Sequence, residues 1–309
     1  MGRLTRLFLF SAAASLCNAP VHAVAGTETV LPSIMGQEIR VKALFEHTFA
    51  DLAEAYQLGF NEMVQANPGI DPWLPQPGTE IIIPARRILP PGPRNGIVVN
   101  LSEYRLYYYP ANRGDVITHP IGIGTTEFPT PVIDTSVVAK VDKPAWYPPA
   151  SIRKRQLEEE GEVMPLVVPP GPENPLGAFA MKLAADSYLI HGTNKGMGIG
   201  MAVSHGCIRM NNADVLSLAK LVPVGTVVKI MREPVKVAVE GGIVWAEVHP
   251  DEQVSKRQVI DSMAAQVQSL SVNNRGLQVD SKAVRDVIGM ATGRPQIIGR
   301  LQPTVAAVP

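Results

Sequence analysis

Cysteine is nearly absent from this chain, with two in 309 residues. Two thiols close at most one bridge, which excludes a disulfide framework. Charge of one sign is missing as well: 28 basic and 28 acidic residues leave a formal net charge of zero. That excludes the basic footprint of a nucleic-acid-binding protein. No apolar run reaches the roughly 20 residues a membrane-spanning helix needs. The glycine run "GMGIG" at 196–200 has no Lys-Ser/Thr behind it, so it is no phosphate loop, and it reads as a flexible turn.

What is present begins with an export signal. Arg3 and Arg6 precede the short apolar core "LFLFSAAASL", and "VHA" places small residues for a cut after Ala23. The expectation is a periplasmic protein that has shed residues 1–23, and Cys17 with them. Cys207 is then the single thiol of an exported chain. Such a thiol is either buried and inert or kept for its reactivity.

Composition shifts divide the remainder. Residues 37–84 read as strand, helix, helix, strand, with Phe49, Leu52, Ala53 and Tyr56 on one helical face. Residues 85–95 form a proline-rich linker. Residues 96–231 carry many short strands separated by Gly and Pro, which predicts a mainly β domain, sandwich- or barrel-like. Its one short helix follows the cysteine, with Asn211 or Asn212 as cap and Val215, Leu218, Ala219 and Val222 inward. Within it, residues 142–175 show little periodicity; Trp146 and Tyr147 suggest a loop that covers substrate. Residues 232–309 predict an α+β extension: a hairpin turning at Gly241-Gly242, a helix lined by Ile260, Met263, Val267 and Leu270, and another lined by Val284, Val287, Ile288 and Ala291.

Chemistry concentrates in "HGTNKGMGIGMAVSHGCIRMNN", residues 191–212. A free thiol is only slightly ionised at neutral pH, so a nucleophilic cysteine needs a base or a nearby positive charge. His191 and His205 are both candidates, and an imidazolium in a partly dry site stabilises a thiolate. Gly206 permits a tight turn that exposes the sulfur and converges backbone N–H groups, as a tetrahedral intermediate requires. The pattern reads as acyl transfer through a thioester. Zinc is the rival, but a fourth ligand is not evident and the His-x-Cys pair is cramped; no metal is expected.

"HGT" at 191–193, "GIG" at 198–200 and "SHGCIRM" at 204–210 resemble the signature of the L,D-transpeptidase (YkuD-type) family, supported upstream by "LYYYP", "PIGIG", "TP" and "GPENPLG". The leading βααβ unit resembles a LysM module, though "EHTFADL" stands where that family has a Gly-Asp-Thr turn. With the tail "EVH", the whole resembles the Gram-negative ErfK/YbiS-like branch that attaches Braun's lipoprotein to peptidoglycan. The resemblance implies Cys207 as nucleophile and His191 as base, its tautomer held by the Gly192 carbonyl. It implies backbone amides of His205, Gly206 and Cys207 as an oxyanion hole. Ser204, Arg209, Trp146 and Tyr188 would face substrate, with Arg209 shaping the site or meeting a carboxylate. The implied partners are peptidoglycan stem peptides and a lipoprotein with a C-terminal lysine or a second stem, with no cofactor. The lone thiol adds a periplasmic thiol reductase as a possible partner. Two alternatives stay open at this stage: a hydrolase on the same thioester, and a non-catalytic wall-binding protein.

Overall fold

Thr48 starts the first helix. Its hydroxyl accepts from the Asp51 amide at 3.1 Å while the Asp51 carboxylate accepts from the Thr48 amide at 2.8 Å, a reciprocal cap. The computed structural model describes residues 33–111, 114–185 and 187–302; the export signal and Cys17 lie outside them. The chain enters through β1 (Ile34–Met35), β2 (Ile39–Lys42), α1 (Phe49–Ala55), α2 (Phe60–Ala66), β3 (Glu80–Ile83) and β4 (Arg87–Ile88). The βααβ order is as expected, and Phe49, Leu52, Met63, Ile81 and Ile83 form its core. Tyr56 departs from the predicted stripe: it is the C-cap of α1 and partly exposed. After α2, the Asn67 amide bonds both the carbonyl and the N–H of Ile82, at 2.8 and 2.7 Å, and so acts as an extra rung beside β3.

The proline-rich segment is no loose joint. Its β4 pairs with β1, and Ile88, Leu89 and Pro90 are buried. Leu89 covers the outward face of the main sheet, packing on Val98, Tyr107 and Tyr109. The composition showed only a proline-rich linker, and burial of the apolar residues between the prolines fixes where it lies.

The middle of the chain runs through β5 (Gly96–Asn100), β6 (Arg105–Tyr109), β7 (Ile117–Pro120), β8 (Ile123–Gly124), β9 (Ile133–Asp142), α3 (Ala150–Glu160), β10 (Phe179–Leu183), β11 (Leu189–His191), β12 (Ala202–Ser204), β13 (Ile208–Arg209), α4 (Asn212–Leu221) and β14 (Val227–Met231). Eight strands run in the order β13-β11-β10-β9-β14-β5-β6-β7, while β12 pairs with β8 in a separate ribbon. The parallel neighbours are β11 with β13 and β14 with β5. Ile97, Val99, Leu106, Ile190 and Ile208 meet Val215, Leu218 and Ala219 of α4 in the largest core. β5 and β6 are buried on both faces, because the Leu89 cluster covers the other side.

Residues 142–175 hold a helix that periodicity did not predict. α3 has strong helix formers throughout, Pro149 before it, and Gly161 in the left-handed region after it. None of its residues is buried, so no apolar stripe announced it. The insert is pinned at its base by paired Trp146–Val168 backbone bonds of 2.9 and 2.8 Å. The fully buried Asn174 reinforces this, donating to the carbonyls of Pro144, Val168 and Pro169 and accepting from the Leu176 amide.

The C-terminal elements are β15 (Val235–Glu240), β16 (Ile243–Val248), α5 (Lys256–Asn273), β17 (Leu277–Val279), α6 (Ser281–Met290) and β18 (Gln296–Leu301). The hairpin turns at Gly241 and Gly242, φ 59° and 77°. The strands β17 and β18 add two members to that sheet that the sequence reading did not foresee. Val284, Val287, Ile288 and Ala291 pack as expected; in α5 the inward residues are Val259, Met263 and Val267, while Ile260 is exposed. Among the described residues no helix is long and apolar enough to cross a membrane.

Candidate active site

The parallel pairing of β11 with β13 sets Ile190 opposite Ile208 and His191 opposite Arg209. Ile190 and Ile208 point into the core, so alternation turns His191 and Arg209 to the other face. Cys207, two positions before Arg209, falls on that face too. All three line one cavity of about 830 Å³, walled by Trp146 and Tyr147 of the insert and by Leu176, Ser187 and Tyr188. The strand register thus unites the two halves of the motif. Lys182 and Arg209 also line the cavity, and no carboxylate does so among the described residues.

Burial governs the electrostatics. His191 is fully enclosed, and desolvation pushes its pKa down to about 4 against the upward pull of the Gly192 carbonyl. Its Nδ1 lies 2.6 Å from that carbonyl oxygen. A carbonyl only accepts, so Nδ1 carries the proton and Nε2 keeps the lone pair. Burial also raises the Cys207 thiol above its ordinary value, with the Leu189 amide and the Arg209 charge pulling back. The sulfur lies 3.7 Å from the Ser187 carbonyl. The thiolate stabilised by an imidazolium that the sequence suggested is therefore not the resting state: both groups are neutral, because the walls around them are apolar. Arg209 is half-buried with an Nε that has no hydrogen-bond partner, and burial lowers its pKa. Among the described residues it has no carboxylate partner.

The loop before the thiol is tightly held. Gly206 has φ +99°, and a side chain there would come within 2.9 Å of the Tyr188 ring, so glycine is required. Its amide donates to Ser204 Oγ at 3.2 Å, and that hydroxyl donates to the Cys207 carbonyl at 2.5 Å. Ser204 lines the cavity but is buried, and its hydroxyl is engaged within the turn. Thr130, unnoticed in the sequence, donates to the Gly206 carbonyl at 2.9 Å and accepts from Gly124 at 2.8 Å. His205 is exposed, and its ring packs tilted against Phe128 with centroids 4.6 Å apart and planes at 30°. Arg155 of α3 lies over the same Phe128 ring, 4.6 Å from its centroid, and pairs with Glu127. Asn212, weighed only as a helix cap, instead receives the amides of Ala178 and Thr193 and donates to the Thr193 carbonyl. It thereby fixes the backbone beside His191; a side chain on Gly192 would meet its Oδ1 at 2.2 Å. Trp146 and Tyr188 both line the cavity.

A fold that joins a lone thiol to a neutral, oriented imidazole across a parallel strand pair defines a class. The L,D-transpeptidase catalytic domain family (YkuD) matches residues 94–230. Over 277 residues the chain is 39% identical to the probable L,D-transpeptidase ErfK/SrfK of Salmonella typhimurium, covering 87% of this chain and 89% of that protein. It is 39% identical over 262 residues to the probable L,D-transpeptidase YcfS of Escherichia coli K12, covering 81% of this chain and 80% of that one. Against the probable L,D-transpeptidase YbiS of the same strain it is 46% identical over 199 residues, 64% of each chain. The chain belongs to the L,D-transpeptidase family.

Proposed function

We propose that this protein is a periplasmic L,D-transpeptidase working through a thioester on Cys207. The observation that carries the reading is the single face shared by Cys207, His191 and Arg209 in one cavity, with His191 Nδ1 bonded to the Gly192 carbonyl. Nε2 of His191 takes the thiol proton as the sulfur attacks the carbonyl of the third residue, diaminopimelate, of a tetrapeptide stem. The resulting oxyanion faces the Cys207 amide; the Gly206 amide is already bonded to Ser204, so Gly206 supplies the turn rather than a donor. Collapse of the intermediate breaks the peptide bond, and His191 returns its proton to the departing D-alanine amine. In the second half an acceptor amine attacks the thioester, His191 removes its extra proton, and the sulfur leaves and is reprotonated. The new amide inherits its free energy from the old one, so no nucleotide is consumed.

Specificity follows from charge. A cavity with Lys182 and Arg209 and no carboxylate among its described lining residues suits the carboxylates of a stem peptide, and the unpaired Arg209 Nε suits one of them. The acceptor is the C-terminal lysine of an outer-membrane lipoprotein, by resemblance to the ErfK/YbiS branch, or otherwise a second stem. The same reading assigns 37–84 to a LysM-like module, 96–231 to the catalytic domain and 232–309 to an extension. A periplasmic thiol reductase restores Cys207 if it is oxidised to a sulfenic acid.

Intact mass measurement tests this. Purified protein mixed with a tetrapeptide muropeptide should gain the mass of the donor less D-alanine, and addition of a lysine-ended peptide should discharge it as an amide. Cys207→Ala should show neither step. An adduct that survives in Cys207→Ala, or none with the wild type, would sink the reading.

A further inference from the structure

The glycine run before the catalytic motif is clamped from both sides. On one side, the Phe60 and Asn61 amides, at the free N-terminus of α2, donate to the carbonyls of Ile199 and Gly200 at 3.2 and 3.4 Å. Gly59 and Gly200 touch backbone to backbone: a side chain on Gly200 would fall 2.3 Å from the Gly59 Cα, and one on Gly59 would fall 2.7 Å from the Gly200 Cα. On the other side, the Gly200 amide donates to the Ile121 carbonyl at 2.9 Å and the Ile123 amide to the Met201 carbonyl at 3.0 Å. The segment then becomes β12 and, three residues after Ser204, reaches Cys207.

The α2 end of this clamp is anchored by charge. Glu62, in the first turn of α2, is buried and accepts from Arg105 Nε at 3.0 Å, Arg105 Nη2 at 2.6 Å, Arg87 Nη1 at 3.3 Å and the Gly59 amide at 2.5 Å. Arg105 belongs to β6 of the main sheet and also donates to the Gln57 carbonyl at 3.2 Å. A buried carboxylate held this way tolerates little displacement, since moving it leaves uncompensated charge.

We propose that the βααβ unit is a brace for the nucleophile: Gly59, the Phe60 amide and Glu62 are positioning residues that hold 199–204, and through it Cys207, in register with His191. The inference rests on the thioester reading above and departs from a tethered wall-binding module. A backbone shift of about 1 Å at a reacting atom costs up to a hundredfold in rate, so a unit bonded to the approach strand sets kcat without touching substrate.

Two substitutions test the brace where neither fold alone is strained. Gly59 has φ −85° and ψ 152°, which alanine adopts freely, so the Gly59→Ala methyl strains no backbone angle and presses on the clamp itself, 2.7 Å from Gly200 Cα and 3.3 Å from Glu62 Oε2. Phe60 is the first residue of α2, where proline is tolerated, and the extended Gly59 suits a following proline. Phe60→Pro removes the amide that bonds Ile199, and Phe60→Ala removes the same ring while keeping that amide. With a tetrapeptide donor, Gly59→Ala is expected to lower kcat about tenfold at an unchanged donor KM, and Phe60→Pro to run about tenfold below Phe60→Ala. Alkylation of Cys207 by iodoacetamide, which needs no peptide, should change rate at least threefold in Gly59→Ala and between the two Phe60 variants. Equal alkylation rates and equal kcat across these comparisons would overturn the brace. Altered alkylation in the variants with no acyl adduct in the wild type would instead refute the transpeptidase reading and leave the brace standing. Should Gly59→Ala fail to fold, the Phe60 pair decides.

Discussion

At Cys207 and His191 burial acts on two groups in the same direction, toward neutrality. Desolvation disfavours the thiolate and the imidazolium alike. In the proposed mechanism, proton transfer therefore accompanies attack on the substrate and does not precede it. With the His191 pKa down at about 4, Nε2 is unprotonated through the whole neutral range. The proposed mechanism needs that lone pair, so activity is expected above the folded pKa and lost as pH falls through it. Accordingly kcat/KM for donor acylation should stay flat from about pH 7 to pH 5 and fall only near pH 4. A limb centred on the ordinary imidazole value of about 6.5 would contradict the buried geometry. The neutral pair also limits adventitious oxidation, because the thiolate is the form that reacts.

Among the elements, the insert is the one whose local structure and attachment differ in origin. α3 owes its helix to composition and to i,i+4 pairs, Lys154–Glu158 and Arg155–Glu159, both at 3.7 Å. Its attachment to the site is light: Ile152 lines the cavity, and Arg155 pairs with the exposed Glu127 and lies over the half-buried Phe128. Exposed pairs of this kind contribute about 0–1 kcal/mol. The base of the insert is held far more firmly, by Asn174. Asn174→Ala leaves three carbonyls and one amide without their side-chain partner, so a loss of about 2–3 kcal/mol is expected in urea unfolding. If the insert excludes water from the thioester, the same variant should divert more acyl-enzyme to hydrolysis, measured as free tripeptide against amide product. An unchanged partition would separate the insert from water exclusion.

Across the molecule, buried charge joins parts that sequence composition separated. Besides Glu62, a second network ties the main sheet to the C-terminal elements. Lys236 Nζ sits 2.6 Å from Glu103 and 2.7 Å from Glu247; Glu103 also accepts from Tyr107 and Asn100, and Glu247 bonds His249 at 2.7 Å and the Ile88 amide at 2.5 Å. Glu103, Glu247 and His249 are close enough together to ligate a metal, but the Lys236 ammonium occupies the position a cation would take. Lys236→Met strands two buried carboxylates, and a loss of about 3–5 kcal/mol is expected in urea unfolding. A loss below about 1 kcal/mol would show that the extension docks independently of these charges. The network explains why the tail looked unmotivated as sequence: Lys236 and Glu247 pair with each other, but the Glu103 and Ile88 partners that tie them to the rest of the fold lie more than a hundred positions away.

Local pattern determined much on its own. The 191–212 motif, the capped α1, the Gly241-Gly242 hairpin and the inward face of α6 are written in spacing and propensity, which act over a few residues and so can be read without a fold. The family resemblance followed from the same local signature. Register and burial were decided only by the tertiary structure. It took the β11–β13 pairing to set His191 on the face of Cys207, apolar walls to make both groups neutral, and long-range contacts to turn Asn212 from a helix cap into a staple beside His191. It also turned a glycine run that reads as a flexible turn into a packed joint against α2. Desolvation and long-range pairing depend on what lies across the fold, and no window of sequence contains that.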